Sequence, residues 1–152
     1  MNKIFTRRNS LIIFIAWLFV IYFLSDMPGE DSGTLSSVFA LLLSKLFLSK
    51  NSVEFVLKYG LFVRKLAHVT EYFIATLLAI NYFRFAYKES SKICLFSGGF
   101  IFLYSITDEI HQYFVSGRGC SYIDVLIDSI GIVFALVLFI VIRKYASKRK
   151  SS

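Results

Sequence analysis

Four apolar segments, separated by polar ones, dominate the chain. They lie at about 10–25, 65–83, 92–111 and 123–142. An α-helix rises about 1.5 Å per residue and the hydrocarbon layer of a bilayer is about 30 Å thick, so roughly 20 residues cross it. The pattern therefore predicts an all-α fold, a four-helix transmembrane bundle.

Two of these segments carry ionisable residues near one end. The second segment is long enough to cross only if its helix includes His68 and Glu71. The fourth segment needs Asp124 and Asp128 in the same way. Charged groups are costly within hydrocarbon, so we expect these four side chains at or just inside the membrane interface.

The connection between the first two spans, residues 26–64, also has a pattern. Its apolar residues in 35–48 recur at helical spacing, which predicts a helix that lies in the interface or re-enters the membrane. Asn51, with Glu54 three positions later, favours the start of a second short helix that ends at Gly60.

Composition supports a membrane protein with a single domain covering residues 1–152. Hydrophobic residues make up 57% of the chain, against roughly 45–50% in soluble domains. The net charge of +7 is of a kind found in nucleic-acid-binding proteins. However, the Lys and Arg residues stand at the ends of the apolar segments, which favours membrane lipids as partners and excludes nucleic acid. The oligomeric state stays open.

Basic residues also predict the orientation. They cluster before the first span, between the second and third spans, and in the tail at 143–152. The positive-inside rule places all three clusters, and so both termini, in the cytoplasm. The long connection at 26–64 has basic residues that argue against this, but the three clusters outweigh them. The first apolar segment exceeds the usual signal-peptide core and lacks a small-x-small cleavage site, so we expect it to be retained.

Ionisable and polar residues are concentrated where the second span begins, the third ends and the fourth begins. In chain order they are Arg64, Lys65, His68, Glu71, Asp108, Glu109, His111, Gln112, Arg118, Asp124 and Asp128. Helical spacing predicts that Arg64, His68 and Glu71 form one stripe of a helix, and that Asp108, His111 and Gln112 share a face. The predicted topology brings all three stretches to the outer face of the membrane. Ionisable residues at membrane depth are by default functional, with a named partner.

Several roles are open for these residues. Arg64, Lys65 and Arg118 suit an anionic headgroup such as phosphate, because arginine can bind it in a bidentate manner. The ligand-binding set would also include Gln112, Asp124 and Asp128. Carboxylates suit a divalent cation, and the metal candidates are Asp108, Glu109, Asp124 and Asp128.

Two alternatives compete with that interpretation. The carboxylates could instead neutralise the arginines, for example Arg64 with Asp108 and Arg118 with Asp124. Acid–base catalysis is the other, although no Ser or Cys nucleophile motif accompanies the candidates. The catalytic candidates are His68, Glu71, Asp108, Glu109 and His111.

The chain resembles the VanZ-like family of small bacterial membrane proteins. The matching pieces are Leu-Ser-Asp-Met-Pro-Gly at 24–29, Arg-Lys-Leu-Ala-His-Val-Thr-Glu-Tyr at 64–72, Asp-Glu-Ile-His-Gln at 108–112, and Gly-Arg at 117–118 leading to Asp-Val-Leu-Ile-Asp-Ser-Ile-Gly at 124–131. Their order and spacing cover the chain from about 24 to 136. The chain departs from the family pattern at Asp26, Ser116 and Asp128, where a second serine, proline and asparagine are usual.

The resemblance implies a role in the bacterial plasma membrane and cell envelope. The founding member is associated with low-level resistance to the glycopeptide teicoplanin, which carries a lipid tail and acts at the outer face. Three hypotheses follow: binding of an anionic envelope lipid such as a wall precursor, catalysis on a phospholipid or polyprenyl phosphate, and a structural assembly factor.

Overall fold

The computed structural model describes residues 6–47 and 52–151, and within them the chain forms five α-helices and no strand. The helices are α1 (Arg7–Ser25), α2 (Gly29–Phe47), α3 (Ser52–Phe83), α4 (Ser90–Gln112) and α5 (Tyr122–Ser151). The predicted all-α fold is confirmed. The predicted spans correspond to α1, part of α3, α4 and the first part of α5, which continues as a helix through the basic tail.

Local sequence signals explain where several helices begin. Thr6 caps α1 by accepting a hydrogen bond from the backbone N–H of Asn9 at 3.2 Å. Ser121 precedes α5 and accepts from the backbone N–H of Ile123 at 3.2 Å. Glu30 and Asp31 occupy the first turn of α2, where negative charge interacts favourably with the helix dipole.

The helix between the first two spans is confirmed, but its continuation differs from the prediction. The expected start at Asn51 lies outside the described residues. The expected end at Gly60 is wrong, because α3 runs without a break from Ser52 to Phe83. One glycine costs a helix about 1 kcal/mol, which the long apolar sequence around it can offset.

The central helix is α3, which packs against all four others. It lies very close to α5, where a Cβ on Gly131 would overlap the backbone carbonyl of Val69. Tyr72, Ala75 and Ala79 on α3 are fully buried in the core. Small residues at such contacts let helices pack closely in membranes.

Three helical segments are long and apolar enough to cross a membrane: Arg7–Ser25, Ser90–Gln112 and Tyr122–Arg149. The described part of α3 is not among them. His68, Glu71 and Asn81 lower its hydropathy, although none of these needs to face lipid. His68 and Glu71 face a cavity, and Asn81 donates to the hydroxyl of Ser10 at 2.8 Å.

Candidate functional site

A cavity of about 450 Å³ lies among α1, α2 and α3, at the end of the bundle where α1 and α4 end and α5 begins. We call this the cavity end. The walls of the cavity are mainly apolar and include Trp17, Ile21, Leu24, Leu35, Phe39 and Ile74. Five ionisable residues line it: Arg64, His68, Glu71, Asp108 and Arg118. The cavity is therefore amphiphilic. Its ionisable residues come from segments that are far apart in the sequence.

The stripe predicted on α3 lines this cavity. Arg64, His68 and Glu71 follow one another at spacings of four and three, which places them along one side of a helix. The backbone carbonyl of Glu71 accepts a hydrogen bond from the indole Nε1 of Trp17 at 3.1 Å. This contact fixes α1 against α3 beside the cavity.

Arg118 reaches the cavity from the turn between α4 and α5. Its Nη2 donates to the carbonyl of Leu24 at 3.0 Å, so the side chain also holds the end of α1. Its Nε and Nη1 are buried and have no hydrogen-bond partner among the described residues. Burial, followed by the positive charge of Arg64, lowers the pKa of the Arg118 guanidinium.

Two glycines hold the turn that carries Arg118. Gly117 has a φ of 73°, a conformation that side-chain-bearing residues rarely adopt. Gly29, at the start of α2, donates its backbone N–H to the carbonyl of Ser116 at 3.0 Å. A Cβ on Gly29 would overlap the carbonyl oxygen of Gly117. The start of α2 and the Arg118 turn are thus in direct backbone contact.

Asp108 belongs to a hydrogen-bonded network beneath the cavity. It is 6% exposed, and its Oδ2 accepts from the hydroxyl of Tyr72 at 3.1 Å and from the amide of Gln112 at 3.2 Å. Of the three residues predicted to share a face, Asp108 and Gln112 are joined by this bond, whereas His111 has other contacts. Gln112 therefore contacts Asp108 and does not itself line the cavity.

Glu109 does not line the cavity and has a local partner. It is 2% exposed, and its Oε1 accepts from the backbone N–H of Ser121 at 2.7 Å. Since Ser121 precedes α5, this bond joins the end of α4 to the start of α5. The carboxylate supports the turn that carries Arg118.

The two histidines occupy different surroundings. His68 lines the cavity, and its Nδ1 lies 3.6 Å from Oδ1 of Asp128, which is 2% exposed. His111 lies outside the cavity lining, with its Nε2 3.2 Å from Oδ1 of Asp26 and its ring 4.9 Å from the ring of Tyr22. Only His68 combines contact with the cavity and a buried carboxylate.

The remaining predicted residues do not form the expected ion pairs. Lys65 lies 3.6 Å from Asp124, and both side chains are nearly half exposed. Within residues 6–47 and 52–151, neither arginine pairs with the aspartate proposed for it, because Arg118 binds a backbone carbonyl and Arg64 has no ion pair. The neutralising pairs Arg64–Asp108 and Arg118–Asp124 are therefore wrong for this structure.

The carboxylates also do not converge on a common point. In the described part of the chain, no group of three or more His, Cys, Asp and Glu residues is placed to hold a metal ion. Glu109 binds Ser121, Asp124 lies beside Lys65 and Asp128 lies beside His68. The divalent cation stays a prediction without structural support.

Sequence reasoning missed the contribution of α2 to the site. Ser32, Leu35, Ser36 and Phe39 line the cavity opposite α3. The hydroxyl of Ser36 donates to the carbonyl of Ser32 at 2.9 Å, within the same helix. Because this hydroxyl has a partner inside α2, the helix presents a largely apolar wall to the cavity. Helical spacing of apolar residues in 35–48 was the available signal, but it indicated a membrane contact and not a cavity wall.

Comparison with known families gives a match. The model of the VanZ/LLP1 family matches residues 10–143, which is most of the chain. The chain belongs to the VanZ/LLP1 family. The match extends from the first turn of α1 into the later part of α5 and includes every residue that lines the cavity of this VanZ-like protein. No curated protein and no solved structure matches the chain.

Proposed function

We propose that this VanZ-like protein is a single-domain, four-span protein of the bacterial plasma membrane that binds an anionic envelope lipid in the cavity. The observation that carries the proposal is Arg118, whose two buried, unpartnered nitrogens stand at the edge of a largely apolar cavity. A buried donor without an acceptor costs about 1–3 kcal/mol, and more if charged. A phosphate oxygen would supply the missing acceptor.

The shape of the cavity fits an amphiphile. Its volume of about 450 Å³ is within the usual range of small-molecule sites. A lipid tail would lie against Leu35, Phe39 and Ile74, while the headgroup would meet Arg64 and Arg118. Polyprenyl-phosphate-linked wall precursors have this combination of an apolar chain and an anionic head.

The proposed topology makes α3 the fourth span over residues 65–83. Its central position among the other helices supports this, since its polar residues have partners or cavity contacts within the bundle. The positive-inside rule then places both termini in the cytoplasm and the cavity end at the outer face.

Binding can be measured through Trp17, the single tryptophan of the chain, which lines the cavity. We expect dodecyl phosphate, but not dodecylphosphocholine, to change the tryptophan fluorescence of the purified protein in a nonionic detergent. Arg118→Gln should weaken the binding about 10- to 100-fold, since hydrogen bonds to charged groups contribute about 1.5–3 kcal/mol.

Arg143→Gln is a matched control for that variant. Arg143 also donates to a backbone carbonyl, that of Lys88, and also has a buried nitrogen without a partner in the described chain. It lies at the opposite end of the bundle, so binding should be unchanged. Equal affinity in the wild type and Arg118→Gln would contradict the proposal.

We extend the proposal to glycopeptide resistance, supported by family membership alone. Expression of the wild type should raise the teicoplanin concentration needed to inhibit cells, with a smaller effect on vancomycin. Arg64→Ala and Arg118→Ala should remove the protection at equal membrane levels. If no strain differs from the empty vector, the resistance role is wrong, while lipid binding is judged by the fluorescence titration.

A further inference from the structure

His68, which is partly buried, faces the buried Asp128 at the polar end of the cavity. Their facing atoms, Nδ1 and Oδ1, are 3.6 Å apart, and neither atom has a hydrogen-bond partner among the described residues. Asp128 is on α5 and His68 on α3, the two helices that meet at the close contact of Gly131. The helix packing therefore fixes the position of the carboxylate behind the imidazole.

The second ring nitrogen of His68 is left for a molecule in the cavity. An imidazole has nitrogens on opposite sides of the ring, and a carboxyl group facing Nδ1 favours the tautomer in which Nδ1 carries the proton and Nε2 can accept one. His68 lines the cavity, whereas Asp128 does not. The carboxylate thus acts through the histidine, as a positioning residue.

Two cations lie at the same end of the cavity. Arg64 is four residues from His68 on the same helix face, and Arg118 approaches from the turn before α5. Both line the cavity with His68. Positive groups that surround a phosphate stabilise the charge that develops when it is attacked, and a positioned base activates the attacking water.

From this geometry we infer that the cavity hydrolyses the phosphate monoester of a lipid, with His68 as the general base, Asp128 holding its imidazole, and Arg64 and Arg118 holding the phosphate. The inference rests on the proposed binding function, because it requires the same cavity to hold an anionic lipid. It adds a reaction to that binding and identifies the substrate by its terminal phosphate.

The reaction needs only water as a second reactant. The water oxygen forms a bond to phosphorus, and Nε2 of His68 takes one proton from that water. The bond between phosphorus and the lipid oxygen breaks, and the departing oxygen takes a proton from solvent. His68 then returns its proton to solvent, so the products are the lipid alcohol and inorganic phosphate, with no oxidation or reduction.

The other histidine provides an internal control. His111 also stands beside an aspartate, Asp26, but the aspartate is more than half exposed and the pair lies outside the cavity lining. His111→Gln should therefore retain phosphate release. His68→Gln should lower it by about 10²–10⁴-fold, the usual contribution of a positioned general base.

The test is release of inorganic phosphate from a polyprenyl monophosphate and from a phosphatidic acid by the purified full-length protein in a nonionic detergent. We expect the wild type and His111→Gln to release phosphate and His68→Gln to release almost none. Asp128→Asn should lower kcat with little change in KM, because it disturbs the orientation of the base and not the binding of the lipid.

The outcomes separate binding from catalysis. Dodecylphosphonate, whose carbon–phosphorus bond the proposed reaction cannot break, should change Trp17 fluorescence in the wild type, His68→Gln and Asp128→Asn, which also shows that these variants fold. If the wild type binds this probe but releases no phosphate from either substrate, the catalytic inference is wrong and the binding proposal stands. Full activity in His68→Gln would overturn the role of the histidine, and failure of the wild type to bind would overturn both.

Discussion

The two ends of the bundle are held together by different kinds of contact. At the cavity end, the buried residues Asp108, Glu109 and Asp128 stand near two arginines that lack ion pairs in the described chain. At the opposite end, which we call the tail end, aromatic rings stack: Tyr87 lies 4.6 Å from Phe96 with the ring planes 4° apart.

This difference indicates where the protein carries a function. Aromatic stacking stabilises the tail end directly, by about 0.5–1.5 kcal/mol per pair beyond area burial. Buried charges cost free energy unless they are paired. Stability alone therefore does not explain the buried ionisable residues at the cavity end. Arg118 and Arg143 each donate to a backbone carbonyl, but only Arg118 lines the amphiphilic cavity.

The largest effect is expected from the backbone contact at the cavity end. In Gly29→Ala the new Cβ would overlap the carbonyl of Gly117, and neither backbone can yield without moving α2 or the Arg118 turn. We expect a loss of about 3 kcal/mol or more in the free energy of unfolding, together with loss of lipid binding. Thermal unfolding in detergent and the Trp17 titration measure the two effects.

Gly33→Ala is the matched control on the same helix. A Cβ at Gly33 meets nothing within 4 Å, and alanine favours a helix over glycine by about 1 kcal/mol. This variant should be as stable as the wild type or more so. If Gly29→Ala behaved in the same way, the contact between α2 and the turn would not support the site.

An intermediate effect is expected from Tyr72→Phe. It removes the hydroxyl that donates to Asp108 and leaves a buried carboxylate with one donor fewer. We expect destabilisation by about 1–3 kcal/mol in thermal unfolding. Tyr87→Phe at the tail end keeps the stacked ring and should change stability little, so equal effects of the two substitutions would remove the contrast between the ends.

The smallest effect on binding is expected from Phe96→Leu. It should lower stability by about 0.5–1.5 kcal/mol through loss of the stack with Tyr87. Binding of dodecyl phosphate should stay at the wild-type affinity because Phe96 is far along α4 from Asp108. A weaker affinity in this variant would show that the two ends are coupled.

The sequence predicted the helices better than the contacts between them. Apolar length predicted α1, α4 and α5, and helical spacing predicted that Arg64, His68 and Glu71 share a face, since both properties depend on neighbours along the chain. The partners of the charged residues depend on helix rotation and approach. The close contact at Gly131 sets how α3 and α5 approach, and the bond from Arg118 to Leu24 occupies the guanidinium. Neither contact can be inferred from opposite charges in the sequence, so the ion pairs predicted from charge were incorrect.

The path of α2 shows the same limit. Its apolar spacing predicted a helix at the membrane, but residues 35 and 39 line a cavity, and the start of α2 at Gly29 lies against the turn at Gly117. That contact joins positions distant in sequence, and no local sequence pattern predicts it. The continuation of α3 through Gly60 likewise reflects helix propagation beyond a single unfavourable residue.

The most direct test of lipid binding in the cavity is photo-crosslinking with a lipid phosphate that carries a diazirine in its tail. After illumination and mass spectrometry, we expect labelled residues on the α2 and α3 walls, at Leu35, Phe39 or Ile74, with excess dodecyl phosphate or Arg118→Gln reducing the label. Label confined to the exposed faces of α4 and α5, unchanged by competitor and by Arg118→Gln, would contradict the account.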